Sequence, residues 1–246
     1  MKTNEERIEM LKANLKPLYE NLLGQENIKK CDYPKVTFCM QWGENFPFEE
    51  RSGIMFVGRS TNSWLTTCED VNVLFGNTED SIFNCPDQMK WVEDLWDNKK
   101  KGDYNTARSA FWRVIKAVTK TFHPGTWYSH VAWSNVYKIS PDSGGNPNNK
   151  LCNAQLEDCK KILETEIKTL SPKTVVMFTG EYWSMPFLRY LNGESEVTSI
   201  CTESWDGYEC KVYQIGGTTF IVTEHPQGKK ENSHKQALIK LLNKFK

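Results

Sequence analysis

Five short polar stretches carry the residue types that binding and catalysis draw on. They read Gly58-Arg59-Ser60-Thr61-Asn62-Ser63-Trp64, Ser134-Asn135-Val136-Tyr137-Lys138, Ser143-Gly144-Gly145-Asn146-Pro147, Gly180-Glu181-Tyr182-Trp183 and Thr223-Glu224-His225-Pro226-Gln227-Gly228. Each follows or closes a short apolar run. Asn135, inside a run that reads as a strand, is an amide that must find partners, and a structural bridge or a ligand would satisfy it equally. His225 stands where a loop begins, and Ser60 follows Gly58-Arg59 on a turn that suits a nucleophile or simply ends a strand. The eight cysteines, at 31, 39, 68, 85, 152, 159, 201 and 210, form no CxxC. The closest pair, Cys152 and Cys159, is two helical turns apart, so they read as free thiols, and neither a metal nor a cofactor is expected.

These stretches need elements to hold them. Apolar runs at Ile54 to Val57, Val131 to Ile139, Thr174 to Phe178 and Thr219 to Val222 read as buried strands. Helical periodicity is clearest at Ala107, Ala110, Phe111, Val114, Ile115 and Val118, with Asn105 placed to cap. A second helix is expected from about Lys150 to Leu170. Its inner stripe contains two polar residues, Gln155 and Glu166, and Ser171-Pro172 ends it. A third helix spans Asn232 to Phe245. The first, near Asn4 to Leu23, is expected to bend or break at Pro17 and to close at Gly24. Between Glu196 and Ile215 two strand-like runs flank Trp205-Asp206-Gly207-Tyr208, a hairpin turn signal.

The alternation of strand and helix predicts a three-layer α/β/α fold with a central, mainly parallel four-stranded sheet, a small hairpin and an N-terminal helical extension. One domain, 1–246, is the simplest organisation, with the extension over 1–50 and an irregular acidic insertion over 66–101. In such a sheet, ligands sit beyond the carboxyl ends of the strands, where the polar stretches fall.

Composition narrows the function classes. The chain has 246 residues, 39% hydrophobic and 12% aromatic, with 31 basic and 31 acidic side chains. That excludes a disordered or collagen-like chain. No run approaches the ~18 apolar residues of a membrane span, and the opening lacks the apolar centre of a signal peptide, so a cytoplasmic protein without a membrane partner is expected. The neutral sum is uneven. Thr66 to Asp97 holds eight acidic residues against Lys90 alone, a net charge of −7, while Lys229 to Lys246 holds six lysines against Glu231, a net charge of +5. Lys229 and Lys230 are therefore candidate nucleic-acid contacts.

The order of the polar stretches resembles the uracil-DNA glycosylase superfamily over roughly Ile54 to Phe245. Gly58 matches the family's first Gly-rich loop, Asn135 its base-reading Asn, and His225-Pro226 its late His-Pro motif. The resemblance implies DNA, or a small molecule containing a nucleobase, as partner. It also implies an N-glycosidic cleavage in which the base is flipped out of the stack. Asn135 would read the base edge, since its amide both donates and accepts. His225 would bond the oxygen on which charge develops. Trp64, or Phe75, would stack on the base, and Arg59 and Lys138 would contact the substrate. Four positions depart from the pattern. Ser60 stands where the family usually places a water-positioning Asp or Asn, with Asn62 the nearest amide. Thr61 replaces Pro, and Gln227-Gly228 stands where Ser and an apolar wedge are usual.

Two other readings use the same residues. One is a non-catalytic member of this fold that binds a nucleotide or nucleic acid. The other is a serine esterase resembling the SGNH type, with Ser60 as nucleophile, Asn135 beside it, and His225 or His234 as base.

Overall fold

The computed structural model describes residues 4–47, 52–63, 71–76, 87–100 and 104–245. The protein is a mixed α/β fold with a mostly parallel central sheet, in the element order of a three-layer α/β/α architecture. The chain divides into two compact units, one of Met1–Met40, Gly58–Pro86 and Ser134–Ser171, the other of Gln41–Val57, Asp87–Trp133 and Pro172–Lys246.

The second unit carries nearly all of the sheet. Its strands are β2 (Gln41–Trp42), β3 (Ile54–Gly58), β4 (Val131–Asn135), β6 (Thr174–Met177), β7 (Cys201–Trp205), β8 (Tyr208–Ile215) and β9 (Thr218–Thr223), in the order β2-β4-β3-β6-β9-β8-β7. β3, β6 and β9 run parallel, and their interior residues Phe56, Val176 and Ile221 are fully buried. Strands buried on both faces need continuous apolar runs, which is why these were visible in the sequence. Both sheet edges are antiparallel. The hairpin pairs Trp205 with Tyr208 across Asp206 and Gly207, whose φ of 47° and 82° are those of the tight turn that matches strand twist. β8 pairs with β9, so the hairpin is an extension of the sheet.

Helices α4 (Lys90–Asp94), α5 (Ala110–Phe122), α7 (Glu181–Leu191) and α8 (Glu231–Lys244) belong to the same unit. The apolar stripe of α5 is buried as its period requires, but Ser109, not Asn105, is the cap: its hydroxyl accepts from the Trp112 N–H at 3.5 Å. A short 3-10 turn over Thr106–Arg108 intervenes, and Asn105 instead donates to the Asn98 carbonyl at 2.7 Å. The Arg113 guanidinium bonds both the Glu231 carboxylate and the Ala107 carbonyl, tying α5 to the first turn of α8.

The first unit contains α1 (Asn4–Gly24), α2 (Glu26–Lys29), β1 (Lys35–Thr37), α3 (Val71–Phe75), β5 (Ile139–Pro141) and α6 (Asn149–Leu170). α1 runs through Pro17 without ending; it packs along α6, and burial of Leu11, Leu15, Tyr19 and Leu22, at ~1.5–3 kcal/mol for each large apolar side chain, outweighs the missing N–H. α6 is capped by Asn148, whose Oδ1 accepts from the Leu151 N–H at 2.9 Å, and it ends at Ser171 in the left-handed region, φ 50°.

The run from Val131 to Ile139 is not one strand. β4 stops at Asn135, and β5 pairs antiparallel with β1 in a separate two-stranded sheet, Thr37 opposite Ile139. Local hydrogen bonds divert it: the side-chain oxygen of Gln155 accepts from the N–H groups of Lys138 and Ile139 at 3.1 and 2.9 Å, and its amide donates to the Ile139 carbonyl at 2.8 Å.

Among the described residues six cysteines are free thiols. Burial pushes Cys39, Cys159 and Cys210 up to about 12 and Cys152 to about 11, so all four stay protonated at neutral pH and are poor nucleophiles. No group of three or more potential metal ligands gathers among the described residues, and no described helix is long and apolar enough to cross a membrane.

Candidate active site

The first unit holds Gly58, Arg59, Ser60, Asn62, Asn135 and Lys138; Trp64 lies outside the described residues. Gly58 closes β3, and its carbonyl accepts from the Val136 N–H at 2.9 Å, while the Arg59 carbonyl accepts from the Tyr137 N–H at 2.9 Å. Further along the loop, buried Thr61 shares a hydrogen bond with the Ser140 hydroxyl at 2.8 Å. Asn62, on the surface, accepts from the Gly145 N–H at 2.8 Å. Its oxygen is therefore already engaged in holding two loops. Between these anchors Ser60 Oγ is shut off from solvent and has no hydrogen-bond partner. Phe75, considered as a base-stacking ring, is buried against Tyr19 with centroids 5.4 Å apart.

Asn135 is the last residue of β4, 1% exposed, and its Nδ2 has no hydrogen-bond partner. The strand end that carries it is held firmly. Lys138 Nζ donates to the Asn135 carbonyl at 2.8 Å, to the two Glu166 oxygens at 2.8 and 2.9 Å, and to Ser134 Oγ at 2.6 Å. The Ser134 hydroxyl in turn donates to Glu166 at 2.7 Å.

Lys138 was expected to touch substrate, and the structure places its ammonium against Glu166. Both Lys138 and Glu166 are fully buried, so the ammonium is spent inside the protein and supports Asn135 from behind. Burial raises the Glu166 carboxyl above the ordinary range, opposed by the charge of Lys138 and the bonds from Lys138 and Ser134. Glu166 and Gln155 were not among the residues expected at the site. Their signal was present as the two polar members of an apolar stripe, about three helical turns apart.

In the second unit, His225 follows β9. Its Nδ1 accepts from the Gln227 N–H at 3.2 Å, a bond that selects the neutral tautomer with its proton on Nε2. Phe111 stacks on the ring, centroids 6.0 Å apart and planes within 10°. Lys229 Nζ donates to the His225 carbonyl at 2.9 Å and lies 4.9 Å from the Tyr208 ring centre; Lys230 pairs with Asp206 at 2.6 Å. Both lysines thus have partners within the unit, and a phosphate must compete for them.

His234 is wholly buried. Its Nε2 meets the Thr223 hydroxyl at 3.0 Å, and Trp205 stacks on the ring at 3.8 Å. Burial, with the charges of Lys229 and His225, pushes the imidazole down to about 3. The unfolded chain protonates this residue near 6.5 and the folded one does not, so the unfolded state holds more protons between those values and stability falls as pH drops. His234 accounts for up to ~1.4 kcal/mol per pH unit of that loss. Urea unfolding at about pH 7 and about pH 5 should therefore show a smaller acid loss in His234→Phe than in the parent, and equal losses would refute this account.

A family model described as the uracil DNA glycosylase superfamily matches residues 32–246, a span that takes in all of these residues. The chain belongs to that superfamily. No curated protein matches it. For a uracil-DNA glycosylase relative, the informative departure is Ser60, an uncharged hydroxyl where a carboxylate or amide is usual. With no hydrogen-bond partner, Ser60 also lacks the bound imidazole that would activate it as an esterase nucleophile.

Proposed function

We propose that this protein is a DNA base-excision N-glycosylase that binds a flipped pyrimidine-type base through Asn135. The observation that carries the reading is the buried Nδ2 of Asn135 without a partner. Such a donor costs ~1–3 kcal/mol while it stays unmet, and a ring carbonyl would meet it, with the side-chain oxygen accepting from the neighbouring ring N–H. Lys138 and Glu166 hold the backbone of the strand end that carries the amide.

In this reading Ser60, whose Oγ is closed to solvent in the free protein, holds an attacking water admitted together with the substrate. Its hydroxyl can donate and accept, but it carries no charge and is a feeble base. The reaction therefore leans on departure of the base, with the sugar becoming cationic before water adds. His225, by the resemblance, donates from Nε2 to the base oxygen that gains negative charge.

The test is base release from uracil-containing and otherwise damaged oligonucleotides, single- and double-stranded, under single-turnover conditions. Ser60→Ala should lower the rate about tenfold, the worth of one hydrogen bond to a water. Absence of release from any lesion sinks the glycosylase. Salt-sensitive binding without release would then favour the non-catalytic member of the fold, the reading that the missing carboxylate at Ser60 also supports.

A further inference from the structure

Tyr182 is 81% exposed, more than any other large hydrophobic side chain among the described residues. It is the second residue of α7, which starts four residues beyond the end of β6. β6 lies parallel to β9, and β9 leads to His225 at the same end of this unit's sheet.

The turn that carries Tyr182 is fixed on several sides. The Gly180 N–H donates to the Thr223 carbonyl at 2.9 Å, and the Ser184 hydroxyl returns to the Gly180 carbonyl at 3.0 Å. Gly180 has φ 73°, which glycine adopts without strain, and the Glu224 carboxylate lies beside it, 2.6 Å from where a Cβ would stand. Glu181 is bound by Lys211 at 2.7 Å and by the Tyr213 hydroxyl at 2.6 Å, anchoring the helix start to β8. The Trp183 ring stands edge-on to Tyr182, 6.2 Å away and near perpendicular.

We infer that Tyr182 is a stacking platform for a base of the DNA strand that passes the His225 loop. The inference rests on the proposed glycosylase reading and extends it by a residue outside the matched motifs. A protein that lifts a base from its stack must cover the neighbours left exposed, and an aromatic ring does so at low entropic cost. Tyr208, at the hairpin tip, is less suited because Lys229 already lies over its ring at 4.9 Å. Charge decides between base and phosphate. Glu224 stands beside Gly180 and Lys211 is already taken by Glu181, so the surroundings of Tyr182 favour the face of a base over a phosphate.

The test compares Tyr182→Ser and Tyr182→Phe with the parent, reading anisotropy of labelled oligonucleotides that carry a tetrahydrofuran abasic site, single-stranded and duplex. The serine variant should bind about tenfold more weakly at an unchanged melting temperature, and the phenylalanine variant should bind like the parent. Unchanged affinity in the serine variant overturns the platform while leaving the glycosylase reading intact. A changed elution volume with unchanged affinity also overturns it, and assigns Tyr182 to contact between protein copies. A parent protein that neither binds nor cleaves any oligonucleotide removes the underlying reading and the platform with it.

Discussion

Replacing Asn135 by alanine should reduce base release by about 10³-fold or more while leaving the protein at least as stable as the parent. The two halves of this expectation have one cause. In the free protein the Asn135 Nδ2 is buried and unbonded, so truncation removes an unmet donor worth ~1–3 kcal/mol of destabilisation, which offsets the packing lost with the side chain. With substrate bound, the same truncation leaves the ring carbonyl and N–H of the base desolvated without partners. Single-turnover release and thermal unfolding measured on one preparation check both. A large drop in melting temperature would mean that the amide is a structural bridge, and undiminished release would remove Asn135 from base recognition.

Lys138→Met should be the most destabilising single change near the site, at ~3–5 kcal/mol, because it leaves the Glu166 carboxylate buried without its counter-charge. For a chain of this size that lowers the melting temperature by on the order of 10 °C. The loss should depend on pH. Burial already raises the Glu166 carboxyl, and removing Lys138 raises it further, so the folded variant binds a proton that the unfolded chain does not. Its stability is then retained at low pH and lost as pH rises through the elevated value. Adding Glu166→Leu to Lys138→Met should recover most of the stability, since an apolar pair replaces a desolvated ionic one. Base release should stay impaired in the double variant, because the bond from Lys138 to the Asn135 carbonyl is gone. Recovery of both stability and release would reduce the buried pair to packing alone.

What the sequence by itself determined about this protein are the features set by local periodicity and by residue type at element ends. β3, β6 and β9 were legible because a strand covered on both faces must be continuously apolar. The inner stripe of α6 and the Asp206-Gly207 hairpin were legible because each depends on neighbours close in sequence. Asn135 and His225 could be picked out as polar residues at strand ends, and the span matched by the family model takes in both. Only the tertiary structure decided which polar residues are engaged by partners within the protein. Lys138 looked like a substrate contact until Glu166, 28 positions away, was seen to hold it. Likewise, Gln155 helps to hold the chain in its second sheet after Asn135, and Asp206 explains why Lys230 is engaged. The physical reason is common to all of these. A buried polar atom must be satisfied by whichever partner the fold brings near, and that partner is set by long-range packing, not by the spacing of residues along the chain.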